Sequence, residues 1–326
     1  MHNRWHPAVP PGLHAADGEV FTLETRDGLD GQLTFGSRGE DLARISLGRS
    51  HPLSGPVYVN GAEPGDVLAV EILDVRTASY GVTPVLPGFG LLDVAEPVVV
   101  SWEIKRGKAR SEALPGVAVP GDPFPGVVGV APSLGQVAAE RRREEELRAA
   151  GFLVADAALG DAVPPNGLRT IPPRANGGNL DIRWLGAGAV LYLPVHVPGA
   201  LLSVGDVHFA QGDGEVCGAA IEVAGSVTLR ASIVSRDRPL TYVRPARPAR
   251  SAYATVGIAT DVRDAARRAV ESLVEWLVDT RGFDFAAAYV LCSVAADLSI
   301  SEIVNAPHPL VSASLPLDVF EDHSAS

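Results

Sequence analysis

Lysine is almost missing from this chain: among 326 residues only Lys105 and Lys108 occur, both in the polar turn Lys105-Arg106-Gly107-Lys108-Ala109. Nucleophile schemes of the Cys-Glu-Lys and Ser-Ser-Lys kinds need a lysine fixed beside the attacking group. Neither lysine has a nearby Cys or a Gly/Ser-rich nucleophile loop, so both schemes are disfavoured. Cysteine is as scarce. Cys217 and Cys292 cannot build a disulfide framework, and thiols of an unexported chain stay reduced. Positive charge is short too: 27 Lys and Arg against 39 Asp and Glu leave a net charge of -12. That excludes a nucleic-acid partner, whose phosphates demand basic patches. No apolar run reaches the roughly 18 residues of a transmembrane helix, so no membrane partner is expected. The N-terminal MHNRWHPAVPPG has neither a basic n-region nor an apolar h-region. No signal peptide is therefore expected, and the cytoplasm is the expected address. A Gly-x-Ser-x-Gly elbow, a His-Glu-x-x-His helix, internal repeats and heptads are absent as well.

What is present is apolar and β-like. Hydrophobic residues make up 46% of the chain and mean hydropathy is positive, enough to bury a large core. The length exceeds one small core and points to two substructures in one unit. Before about residue 125, short apolar alternations are punctuated by Gly, Pro, Asp and Asn. Strands are expected at Val20–Thr25, Val57–Val59, Val67–Leu73 and Val98–Trp102, with turns at Asn60-Gly61 and Pro64-Gly65-Asp66. Such spacing favours a sandwich or barrel over βαβ units. A helix is expected over Leu134–Ala150, with the charge run Glu140–Arg148 as a solvent-exposed face, followed by a Pro/Gly-rich linker from Asp161 to Arg174. Strands resume at Ala189–Leu193, Val195–Val197, Val216–Val223 and Ser226–Arg230. The clearest helix starts from Thr260 as N-cap and stops at Gly282, with Val262, Ala266, Ala269, Val270, Leu273, Val274 and Leu277 on one stripe. Phe285–Ala296 reads as another helix and Leu298–Val304 as a strand. The reading is a mainly β fold with an α/β C-terminal part. Its portions are β-rich over 1–160, β-rich with the chemical motif over 161–245, and α/β over 246–326.

Chemistry concentrates in residues 176–222. Asp206 and His208 are two apart, which in a strand places them on one face. Gln211, Asp213 and Glu215 follow, separated by Gly212 and Gly214, which let the backbone bend and approach a small ligand. Asp181, after Gly177-Gly178, adds an acid on another tight turn. Carboxylates with an imidazole form an oxygen/nitrogen donor set suited to zinc, or to harder divalent ions where few His join. Such an ion lowers the pKa of bound water from about 15.7 to roughly 7, and a neighbouring carboxylate can carry the proton. Blander readings compete. Asp213-Gly214 alone is ordinary hairpin chemistry, a single Asp-x-His is a weak motif, and Cys217 is more commonly a buried small hydrophobe than a nucleophile. The density of acids around one His is what points to a catalytic or metal site.

Four blocks lie in order along the chain: His51-Pro-Leu-Ser-Gly-Pro-Val-Tyr-Val-Asn-Gly-Ala-Glu-Pro-Gly-Asp66, Phe124-Pro-Gly-Val-Val-Gly-Val-Ala-Pro132, the 176–222 segment and Ala296-Asp-Leu-Ser-Ile300. Through them, and above all through Gly205-Asp-Val-His-Phe-Ala-Gln-Gly-Asp-Gly-Glu215, the sequence resembles the acetamidase/formamidase family. The resemblance implies hydrolysis of a short linear amide, such as formamide or acetamide, to carboxylate and ammonia. It implies a jelly-roll-like β-sandwich with β-barrel elements and α/β parts, and a homodimer or higher homo-oligomer. By motif matching, Asp181, Asp206 and His208 are the metal-ligand candidates for a divalent ion, zinc foremost and calcium or another ion as alternatives. Glu215 is the general acid/base candidate, with Gln211 as a second catalytic or orienting group. His51, Asn179 and Gly178 are the substrate-contact candidates. Asp66 is a further candidate for which a turn role is the simpler reading, and Asp297 one for which a cap or turn is. Val207 and Phe209, in the centre of the motif, would alter the substrate range if they border the pocket. Two alternatives remain: a hydrolase of another C–N bond in a formamide-bearing metabolite, and a non-catalytic jelly-roll binding protein. Asp206, His208 and Glu215 together speak against the second.

Overall fold

The computed structural model describes residues 1–154, 167–234, 240–244 and 251–321. The expected short strands assemble into an eight-stranded sheet, a ten-stranded sheet and one two-stranded ribbon, Arg4–Trp5 with Leu168–Arg169. The eight-stranded sheet runs Asp297–Glu302, Leu310–Pro316, Ala252–Ile258, Thr241–Arg244, Val190–Pro194, Val67–Thr77, Gly225–Val234 and Val20–Thr25. Strands from all three sequence portions therefore share it. The positions 160 and 245 fall outside the described residues, as does the 161–166 part of the expected linker. Both sheets have open strand orders among the described residues, so the expected barrel elements take the form of open sheets rather than a closed barrel.

Periodicity explains most of the layering. Along Val67–Thr77, Leu68, Val70 and Ile72 are buried while the residues between them are only partly covered. They meet Val57, Val59, Val128, Leu202 and Val204 from the ten-stranded sheet in one shared core. At about 25 cal/mol per Å² of apolar surface, this inter-sheet core is the main contribution to stability. The strand Leu202–His208 departs from alternation: all seven of its residues are buried. It pairs with Phe124–Gly129 along one edge, and with Leu53–Val59 and then Glu222–Val223 along the other. An Asp and a His are thus carried into the interior of the protein.

The helices lie where expected, with local corrections. Val262–Arg281 is capped by Asp261 rather than Thr260: the Asp261 carboxylate accepts the Asp264 N–H at 3.0 Å, and Gly282 ends the helix in the left-handed region at φ 69°. Its Ala269, Leu273 and Leu277 pack on Tyr253, Ala313 and Leu315. Leu134–Ala149 begins with a Ser133/Gln136 capping box. Its charge run is not wholly solvated, because Glu144 is buried and ion-paired with Arg174. Phe285–Ala295 is helical, and Asp297–Glu302 forms the expected strand. Val195–Val197 is not a strand. Within Val216–Val223 only Glu222–Val223 is extended, because Glu215 and Gly218 adopt positive φ and bend the chain. Among the described residues no helix is long and apolar enough to cross a membrane.

Candidate active site

The site grows around His208, at the end of its buried strand. His208 pairs in register with Phe124 on one side and Glu222 on the other, and the Phe124 ring meets the imidazole edge-on at 5.1 Å. The Gln211 amide donates to the Asp181 carbonyl at 2.8 Å, which turns its oxygen towards His208 Nδ1, also at 2.8 Å. Nδ1 is therefore the N–H donor. Nε2 faces Glu222 Oε1 at 3.4 Å and Asp206 Oδ2 at 3.5 Å, and has no hydrogen-bond partner.

Backbone bends bring the acids in. Asp181, Asp206 and Glu215 all sit at positive φ, at 46°, 55° and 47°. Non-glycine residues held there cost on the order of 1–3 kcal/mol each and cluster at functional sites. Asp181 leaves the Gly177–Asn179 strand, and its N–H reaches the Gly126 carbonyl at 3.2 Å. Gly126 has to be glycine: a Cβ there would overlap Asp181 Oδ1 and lie 2.9 Å from His208 Cε1. Glu215 rides a turn that the C-terminal strand holds, through Gly214 N–H to Ser301 O at 3.0 Å and Ile303 N–H to Gly214 O at 3.2 Å. Two groups of three donors result, each with ligand atoms within 4.8 Å of one another: Asp181, Asp206 and His208, and His208, Glu215 and Glu222.

Electrostatics pull these groups apart. Burial pushes Asp181 and Glu222 up to about 7, although His208 pulls both back. Burial, reinforced by the Asp181 charge, holds Glu215 well above the ordinary range. Asp206 goes the other way: His51 and His208 overcome its burial and keep it below the usual carboxylate value. Burial opposes the charge on His208, yet Glu222 and Asp206 raise it well above 6.5. For His51 burial wins and lowers it. Opposed shifts in one pocket are the pattern of acid and base groups.

A cavity of about 70 Å³ opens beside these groups. Asp206, Glu215, Glu222, His51, Asn179 and Asn305 form its polar end, and Leu29, Leu86 and Phe89 part of its apolar wall. Of the expected site residues, Asp206, Glu215, His51 and Asn179 line it, while Asp181 and His208 stand directly behind. Gln211 sits behind His208 as its hydrogen-bond partner. Gly178 does not line the cavity; a Cβ there would point at the Trp5 indole. Asp66 closes a turn by accepting the Glu63 N–H at 2.9 Å, and Asp297 is exposed at the start of a strand. Val207 and Phe209 are buried in the inter-sheet core and do not line the cavity. Cys217 lies outside the lining, its thiol directed to Ala219 O. Lys105 and Lys108 face each other across an exposed hairpin away from the site.

Three site residues escaped the sequence reading. Glu222 is paired with His208, Glu302 is buried close to Asp181, and Asn305 donates to the Asp181 carboxylate. Glu302 did leave a trace: it shares the parity of Leu298 and Ile300, where an acid is out of place in an apolar strand. Its Oε2 accepts the N–H groups of Val304 and Asn305 at 3.0 and 2.9 Å, and burial holds it well above the ordinary range.

The fold recurs in known proteins. The chain belongs to the Acetamidase/Formamidase family, whose model matches residues 1–322. The protein is an amidase. A formamidase from Methylophilus methylotrophus is 31% identical over 367 residues, covering 98% of this chain and 89% of that protein. The crystal structure of an acetamidase from Bacillus halodurans is similar with a TM-score of 0.81 at 28% identity, covering 99% of this chain and 97% of that one. A gamma lactamase from Delftia acidovorans has a TM-score of 0.71 at 32% identity, covering 98% and 89%.

Proposed function

We propose that this amidase hydrolyses a short linear amide of the formamide or acetamide class to carboxylate and ammonia. The observation that carries the reading is the convergence of buried atoms without hydrogen-bond partners beside a small cavity: His208 Nε2, Asp181 Oδ1 and Glu222 Oε2. Buried polar atoms are normally paired, so orphans that face one another mark a place for something else. One imidazole with several carboxylates fits a divalent cation, zinc foremost, calcium or another divalent ion as alternatives. Asp181, Asp206 and His208 would hold it, with Glu222 as a further donor. When bound, such an ion polarises an amide carbonyl and acidifies water.

The chain's own groups supply the rest. Room of about 70 Å³ suits a molecule of only about five non-hydrogen atoms, which favours short amides. Asn179 and His51, at the polar end, would orient the amide. Glu215, whose burial favours the neutral form and which positive charge beside it would return to the carboxylate, would take the proton of the attacking water and pass it to the departing nitrogen. Gln211 would act through His208, fixing the tautomer that presents Nε2 inward. The reading includes a cytoplasmic address, consistent with two free cysteines, and homo-oligomeric assembly. Ammonia release from formamide and acetamide, measured before and after complete chelation and after metal add-back, tests the metal part. Activity should disappear and return. Turnover that survives full metal removal sinks the role of the cation, and no release from any short amide sinks the substrate class.

A further inference from the structure

We propose that the ring of Phe89 sets the length of acyl chain this amidase accepts. The amide group of a substrate belongs beside Asp206, Glu215 and Glu222, the cavity groups able to exchange protons with it. Its acyl group is then left to the apolar wall. Leu29, Leu47 and Leu86 in that wall serve the core as well, since Leu29 is buried with Leu33, Leu42 and Val82 and the other two pack on the same cluster. Phe89 does not. It is half-buried on the segment between the strands Tyr80–Val85 and Val98–Lys105, and among the described residues it belongs to none of the apolar clusters. A large ring that lines a cavity without packing in a core acts on what enters the cavity.

The depth of the ring is fixed by the loop that carries Glu215. A Cβ on Gly218 would fall 2.3 Å from Phe89 Cδ1 and 2.5 Å from Cε1, so only bare backbone lets the ring lie there. The Gly218 N–H donates to Glu215 O at 2.7 Å, closing the turn against which the ring rests. Beside it the Leu91 N–H donates to Val216 O at 2.8 Å and ties the segment down, while the side chains of Leu91 and Leu92 stand 55 and 76% exposed. Acyl length is thus measured from the same turn that aims the proton carrier. With about 70 Å³ of room, propionamide brings as many non-hydrogen atoms as the cavity holds, about five, and butyramide exceeds it.

This role of Phe89 rests on the short-amide reading above, and a series of straight-chain amides separates the two. Ammonia release is followed from formamide, acetamide, propionamide and butyramide. In the wild type kcat/KM should drop about tenfold or more from propionamide to butyramide. Phe89→Ala should raise the butyramide-to-acetamide ratio of kcat/KM at least about tenfold, and Phe89→Leu by a smaller factor. Leu92→Ala, on the exposed part of the same segment, should leave every ratio unchanged. A ring that only braced the Glu215 turn would, when removed, lower all the amides alike, and that result refutes the proposal. So does a wild type that accepts butyramide as readily as acetamide. A wild type that releases ammonia from none of the series overturns the short-amide reading, and the role of Phe89 with it. If Phe89→Ala fails to fold, Phe89→Leu must still raise the butyramide-to-acetamide ratio at least about threefold, and an unchanged ratio refutes the proposal.

Discussion

Gly126→Ala adds a single methyl group and aims it at the heart of the site. The backbone there needs no glycine conformation, since Gly126 is not among the positive-φ residues; only space forbids the side chain. The methyl would overlap Asp181 Oδ1 and press on His208 Cε1 at 2.9 Å and Asp206 O at 3.1 Å. Neither side chain can swing away freely. Asn305 holds the other Asp181 oxygen, Gln211 holds His208 Nδ1, and both residues are buried. Relief therefore takes a shift of about 1 Å in the Asp181 carboxylate, and misplacement of that size costs roughly 10²-fold in rate. Expressed as a barrier, this is about 2.7 kcal/mol in kcat/KM. The assay is ammonia release from acetamide, with metal content and melting temperature measured in parallel. Gly212→Ala is the control, because a Cβ there meets nothing within 4 Å. If Gly126→Ala retains activity within about threefold of wild type while folding normally, the assignment of Asp181 and His208 to the site is wrong.

Glu215→Gln keeps the shape of the side chain but cannot move a proton; kcat should fall by roughly 10²–10⁴ with metal content and KM little changed. Persistent turnover would assign the proton transfer to another group. The pH dependence of metal uptake follows from the raised acids. With Asp181 and Glu222 pushed up to about 7, the metal-free site holds protons that a cation must displace. Affinity measured by calorimetry should therefore weaken steeply as pH falls from about 7 to about 5 with more than one proton released per cation, whereas ordinary carboxylates would leave only the His208 proton to release. A flat profile across that window contradicts the raised values.

Much of this was legible in the sequence because periodicity and turn chemistry are local. Val20–Thr25, the Gly282 stop and the Asp206-x-His208 pair all lie within windows of a few residues. The misreadings are equally physical. Val216–Val223 looked like a strand because its apolar content says nothing about the positive φ that Glu215 and Gly218 adopt to close the pocket. Glu144 looked solvated because its partner Arg174 is thirty residues away. Glu302 and Asn305 meet Asp181 only through tertiary contact across more than a hundred residues, a relation that no local pattern encodes.

The last point bears on how the protein is made. Asp181 is translated long before Asn305, which donates to its carboxylate, and before the Ser301–Ile303 segment that anchors the loop of Glu215. At a synthesis rate of about 5–20 residues per second, the nascent chain waits several seconds or more with its acids assembled only in part. No ribosome-bound intermediate can close this pocket until residue 305 has cleared the exit tunnel. Until then the acids stay open to water, so any cation this site binds would be enclosed only once the Ser301–Asn305 segment has docked.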